Sequence, residues 1–186
     1  MKKIMFNDKY GLTQAVLEGR KTQTRRMFLK PGEETLLDGI TPEYLILAKS
    51  RYKVGETVAI AQSYKDIHAE VLREVGPWDL KKEFRQSKGY ANKMFVRAEK
   101  MPHAIRITNI RVERLQDISE SDCLKEGIWR DENVGIEGTT YWHHGLANSS
   151  FRTPQEAYAS LIDSISGKGT WASNPYVFVY DFELIN

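Results

Sequence analysis

Eight consecutive residues, Gly19-Arg20-Lys21-Thr22-Gln23-Thr24-Arg25-Arg26, hold four cations and two hydroxyls and no apolar side chain. Backbone, hydroxyl and guanidinium donors so close together suit a phosphate or a polar base edge. A lysine near a threonine hydroxyl can also activate that hydroxyl as a nucleophile, provided burial or neighbouring cations lower the lysine pKa. This second chemistry makes a demand on the backbone. In a regular strand residues three apart face opposite sides, so Lys21 and Thr24 can meet one ligand only across a bulge or an irregular turn. The competing reading is an exposed basic edge strand, since charge is a common protection against edge-to-edge pairing. Residue types and spacing leave the readings level.

Other candidates are weaker. His143-His144 is a pair without a carboxylate at a recognisable metal-ligand spacing, so it reads as loop surface and no metal or cofactor is expected. His103 reads as structural. Trp78, Trp129, Trp142 and Trp171 can stack bases, with Trp129 and Trp142 the best placed because they flank a Gly-rich stretch. The single Cys123 excludes an intrachain disulfide and a cysteine-based zinc site, fits a reducing compartment, and reads as a small buried apolar residue.

The charge balance narrows the partners. Across 186 residues there are 27 Lys+Arg and 25 Asp+Glu, a net charge of +2, which excludes a uniformly basic nucleic-acid binder. Residues 1–30 nevertheless hold eight basic and two acidic side chains, while the remainder carries a net negative charge. A local basic site of this kind attracts a small anion or a short stretch of phosphate backbone; a solvated charged face is the plainer alternative. With 41% apolar and 11% aromatic residues the chain can bury a real core as one domain. The N-terminus lacks an apolar run after Lys2 and Lys3, and no stretch is long and apolar enough for a membrane span, so a soluble, cytoplasmic protein with no membrane partner is expected.

The elements that must position these residues are partly legible. Lys3–Phe6 reads as a short strand, followed by a helix capped by Asn7 or Asp8, carrying Leu12, Ala15 and Val16 on one face and stopped by Gly19. Val54-Gly55-Glu56 turns into a strand at Thr57–Gln62. A long strand follows at about Ala104–Leu115, and its apolar parity changes near Thr108-Asn109, which predicts a β-bulge. Ser119 and Asp122 resemble a capping box for a short helix that stops at Gly127, and Thr153-Pro154-Gln155-Glu156 is a strong helix start. Tyr176–Leu184 closes the chain as a strand covered on both faces over its first half. Residues 28–50, 65–92 and 129–150 read as insertions: the first a loop, the second with a helix over Asp66–Val75, the third rich in Gly, Asn and His. Together these predict an α+β domain with a mixed or antiparallel sheet and peripheral helices.

The motif Gly19–Arg26 resembles the G-[RK]-K-T-x-T-x-R signature of ASCH domains. Val54-Gly55-Glu56-Thr57-Val58 is similar to that family's turn into a barrel strand. Met101–Ile107, Val112–Ser119, Glu126-Gly127-Ile128 and the Trp171, Asn174, Pro175 set resemble a subgroup often encoded by phages and prophages. The resemblance implies a PUA-like β-barrel over residues 1–186 and binding of RNA or a small nucleoside or nucleotide ligand. One bacterial branch hydrolyses N4-acetylcytidine. Carried over, it implies Thr24 as nucleophile, Lys21 as its base and Glu126 as proton carrier or orienter, with Arg20, Thr22, Arg25 and Arg26 around the ligand. An amidohydrolase on N-acylated cytidine is the alternative to a binding module, and a phage-derived interaction protein with a vestigial cleft the third. Glu126 can also be read as a surface residue at a helix end, although a carboxylate there opposes the helix dipole. The strand after Gly55-Glu56 lacks the Arg and Trp of many phage-type relatives, and Tyr64 is the aromatic residue that can stand in.

Overall fold

The structure, a computed structural model, describes residues 1–28, 39–67, 85–132, 139–145 and 150–185. Seven strands are described: β1 (Lys2–Ile4), β2 (Gln23–Met27), β3 (Thr57–Ile60), β4 (Ala104–Arg114), β5 (Trp129–Asp131), β6 (Thr140–Trp142) and β7 (Tyr176–Ile185). The α-helices are α1 (Leu12–Leu17), α2 (Pro42–Lys49), α3 (Glu120–Lys125), α4 (Pro154–Ser166) and α5 (Thr170–Ser173). Five strands form one sheet in the order β1-β3-β4-β7-β2, and β5 pairs with β6 apart from it. The β1–β3 pair is parallel and the other pairs are antiparallel, so the sheet is mixed.

The long β4–β7 ladder is the spine. Its register shifts between Ile107 and Asn109, at the place where the apolar parity of β4 changes. The extra residue lets Ile107 and Ile110 both turn inward, and both are buried. In β7, Val177, Phe178, Val179 and Tyr180 are all buried, so both faces of its first half are covered. The core they anchor also takes in Val16 from α1, Cys123 from α3, and Ala157, Tyr158 and Leu161 from α4.

Side-chain capping sets the starts of α2, α3 and α4; the first helix, expected to be capped by Asn7 or Asp8, starts after Gly11 without a side-chain cap, and Asn7 caps a short 3-10 turn at Asp8–Tyr10 instead. Thr153 Oγ1 accepts from Glu156 N while the Glu156 carboxylate accepts from Thr153 N, with Pro154 at the first helical position. Ser119 Oγ accepts from Asp122 N and opens α3. The same logic corrects the reading of residues 28–50 as a loop. Thr41 Oγ1 accepts from Tyr44 N, and Thr41-Pro42 starts α2, whose Leu45 is buried. Thr-Pro is both a turn signal and a helix-start signal; the apolar residues that follow it, Leu45 above all, decide in favour of a helix. Most of the helix expected over Asp66–Val75, and Trp78, lie outside the described residues. Residues 129–150 contain the β5–β6 ribbon in place of a plain loop.

No closed barrel is formed among the described residues: β1 and β2 are both sheet edges. One side chain crosses between them, Arg26 Nη2 donating to the carbonyl of Met5 at 2.6 Å. No helix among the described residues is long and apolar enough to cross a membrane.

Candidate functional site

Chain geometry answers the demand that the Lys21–Thr24 spacing makes. Residues 20–22 lie between α1 and β2 and are not part of the strand. Lys21 N donates to the carbonyl of Ala15 at 2.9 Å, Thr22 N to that of Lys125 at 3.0 Å, and the Thr22 carbonyl accepts from Phe182 N at 2.9 Å. The segment is thereby fixed to α1, α3 and β7 at once. Regular strand begins only at Gln23, so Lys21 and Thr24 escape strand alternation and line the same cavity.

The Lys21 ammonium is 2% exposed. It donates to Glu126 Oε2 at 2.5 Å and to the Glu126 carbonyl at 2.8 Å, using two of its three donors. Burial lowers the Lys21 pKa, and the Glu126 charge opposes that effect. Glu126 directly follows α3 and is itself buried. Its position depends on Gly127, which turns the chain at φ +100; a Cβ there would lie 3.3 Å from Leu12 and 3.8 Å from the Lys21 stem.

The second oxygen of Glu126 meets another buried cation, Arg25 Nη1 at 3.2 Å. Arg25 also donates to Gln23 Oε1, to Glu113 Oε1 through Nε at 3.0 Å and Nη2 at 2.6 Å, and to Asp122 Oδ2 at 3.3 Å. Burial disfavours its charge, but the Glu126 and Glu113 carboxylates outweigh the penalty and raise its pKa. Arg111 extends the network to Asp122 at 2.5 Å, Asp181 at 2.8 Å and Glu113 at 3.0 Å. Arg25, expected to touch ligand, is thus mainly the counter-charge that holds Glu113, Asp122 and Glu126 in place.

Lys21, Thr24, Arg25, Arg26 and Glu126 line one cavity of about 290 Å³, walled on its apolar side by Leu115, Leu161 and Val177. The Thr24 hydroxyl makes no hydrogen bond among the described residues. Tyr158 of α4 lines the same cavity, and its buried hydroxyl has no hydrogen-bond partner among them. Burial, then the nearby Glu126 charge, raise the Tyr158 pKa well above the ordinary phenol value, so it stays a donor. A buried hydroxyl without a partner is costly, and a ligand acceptor in the cavity would satisfy it. Sequence reasoning missed Tyr158 because a tyrosine beside Ala157 and Leu161 reads as core; the polar end was the available signal.

The remaining candidates fall elsewhere. Tyr64 packs with Ala61, Ile67 and Val96, its hydroxyl accepts from Arg97 N at 2.9 Å, and it lines a separate cavity of about 160 Å³. Arg20 pairs with Glu18 and lies 3.8 Å above the Trp129 ring. Thr22 is held by its backbone bonds to Lys125 and Phe182 and is not among the described residues that line the cavity. Trp129 and Trp142 stack on each other, 5.0 Å apart at 7°, with His144 edge-on to both. His143 is a correction: it is 1% exposed, its Nδ1 within 2.9 Å of the His144 carbonyl and its Nε2 within 3.2 Å of Ser160 Oγ. Burial lowers its pKa. Cys123 is fully buried, and burial pushes its thiol up to about 12. No group of three or more His, Cys, Asp or Glu residues suited to a metal ion occurs among the described residues. Compared with protein-family models, curated proteins and solved structures, the chain gives no significant match.

Proposed function

We propose that the cavity binds the base of a modified nucleoside, free or within RNA, as an ASCH-type domain would. One observation carries this: Lys21, Thr24, Glu126 and the unpartnered Tyr158 hydroxyl all line a single cavity of about 290 Å³. That volume lies near the lower end of the range for small-molecule sites, roughly 300 Å³ and above, which suits a base better than a larger ligand. Its walls are partly apolar, and the polar groups converge from the α1–β2 connection, β2, the residue after α3, and α4, the pattern of a specific small-ligand pocket. In this reading the five-stranded mixed sheet is a PUA-like barrel left open between β1 and β2, and the buried lone cysteine fits a cytoplasmic protein.

Hydrolysis of an N-acylated cytidine is the second reading, favoured by the lowered Lys21 pKa and the unengaged Thr24 hydroxyl. Lys21, having passed its proton across the 2.5 Å contact to Glu126, takes the Thr24 proton as Oγ1 bonds to the acyl carbon. The C–N bond breaks, the leaving amine takes a proton relayed through Glu126, and water then cleaves the acyl-threonine to carboxylate and free hydroxyl. The site gives no motive for a vestigial cleft, because Thr24 and Glu126 share one cavity.

Incubation with N4-acetylcytidine, followed by chromatography and by calorimetric titration, separates the readings. Cytidine release that disappears in Thr24→Val, with the variant shown to be folded by circular dichroism, establishes the hydrolase. Binding without release supports the binding module. Neither binding nor release of any N-acylated or unmodified pyrimidine nucleoside would remove both.

A further inference from the structure

On the other side of Arg26 lies a second cavity, of about 420 Å³. Among the described residues its lining carries four cations, Lys3, Arg26, Lys49 and Arg51, and no carboxylate. None of the four forms an ion pair with a carboxylate among the described residues. Lys3 Nζ donates to the carbonyls of Met94 and Val96, each at 2.6 Å, and Arg26 donates to the Met5 carbonyl. Arg51 lies over the Tyr52 ring, 5.6 Å from its centre. The contrast with the first site is sharp, since there every buried cation has its carboxylate.

The cations converge from four places in the chain: β1, β2, the end of α2 and the segment after it. The last is held to the sheet, Arg51 N donating to the Tyr180 hydroxyl at 3.3 Å. Charge placed only to protect sheet edges would need neither a concavity nor the two cations contributed from Lys49 and Arg51. An uncompensated cationic hollow of this kind recognises an anion with several acceptor oxygens. The two cavities share Met5, Arg26 and Met27 in their linings, so they meet along the open β1/β2 seam.

We propose that the second cavity holds a phosphate ester attached to the nucleoside in the first, with Arg26 at the junction. The inference rests on the nucleoside reading above and narrows it: the ligand is a nucleotide, presented either free or within a strand, and not an unphosphorylated nucleoside.

Calorimetry on the wild-type protein at low salt tests this with cytidine, N4-acetylcytidine, cytidine 5′-monophosphate, the trinucleotide CpCpC and inorganic pyrophosphate. The monophosphate should bind about tenfold more tightly than cytidine, the equivalent of one good charge-assisted contact. In the Lys49→Glu/Arg51→Glu double variant that ratio should fall to near one. A trinucleotide tighter than the monophosphate, with log affinity falling by about 0.7 per phosphate engaged for each log unit of salt, identifies a strand as the source; a weaker one identifies the free nucleotide. Equal affinities for cytidine and its monophosphate in the wild type, or a ratio unchanged in the variant, overturn the proposal. Pyrophosphate keeps the two readings apart. If no probe with a base binds but pyrophosphate does, and the double variant loses it, the anion site stands and the nucleoside reading fails. If pyrophosphate also fails to bind, the anion site falls with it.

Discussion

Glu126 is shared by two buried cations, Lys21 at 2.5 Å and Arg25 at 3.2 Å. Such an arrangement is expensive to break from one side, because the remaining charge is left in a medium that solvates it poorly. Lys21→Met should therefore destabilise the fold by about 3–5 kcal/mol in urea titrations. Adding Glu126→Gln should recover part of that loss, since Arg25 keeps Glu113 and Asp122; strict additivity of the two substitutions would contradict the coupling. Tyr158 is the opposite case. Its hydroxyl has no partner to lose, so Tyr158→Phe should change stability by no more than about 0.5 kcal/mol while weakening ligand binding about tenfold. A variant that loses stability and leaves binding intact would place Tyr158 in the core alone. Lys21 and Thr24 were legible because a run of polar residues with no apolar partner is conspicuous in a sequence. Tyr158 was not, since its ring packs as core and only the environment of its oxygen marks it.

Helix α3 brings the network together. Asp122 joins Lys125 at 3.0 Å, Arg111 at 2.5 Å and Arg25 at 3.3 Å, tying α3 to β4 and β2. Burial works to raise the Asp122 pKa, but the Lys125 hydrogen bond and the charges of Arg111, Lys125 and Arg25 outweigh it, and the net shift is downward. The unfolded chain then takes up this proton before the folded one as pH falls. The contribution of Asp122 is complete above the ordinary aspartate range and is lost as pH drops through and below it. Asp122→Asn should cost about 1–3 kcal/mol at neutral pH, and the gap from wild type should narrow with acidification in thermal melts. A gap independent of pH would mean that Asp122 acts through packing. At this scale the sequence was most informative where one residue type has one job. The Thr153–Glu156 start of α4 and the parity change in β4 are of that kind. Helix α2 escaped because Thr41-Pro42 serves two roles, and the β5–β6 ribbon because its pairing joins segments separated by residues whose composition signals only loop.

For the molecule as a whole, the decisive feature is that the sheet, among the described residues, stops short of a barrel. No composition or periodicity distinguishes five strands that close from five that leave a seam, because closure depends on strand tilt and on the last pair meeting. The near-balanced net charge of +2 also hid the arrangement: paired charges fill the interior network, while Lys3, Arg26, Lys49 and Arg51, without an ion pair among the described residues, line the cavity beside the seam. Amide hydrogen exchange reads this directly. The β4–β7 ladder runs from Ala104 to Arg114 through the middle of the sheet, and Ile107 and Val179 are fully buried, so their exchange requires global unfolding. Among the described residues strand β1 pairs only with β3, over three residues, and should open locally. Its amides should exchange orders of magnitude faster than those of β4 and β7 in the free protein. Equal protection would mean that β1 and β2 are joined in solution and that the barrel is closed. A nucleotide lying across the seam should slow exchange in β1 and at Met27 and leave β4 and β7 unchanged, because it adds contacts at the edges and none in the spine.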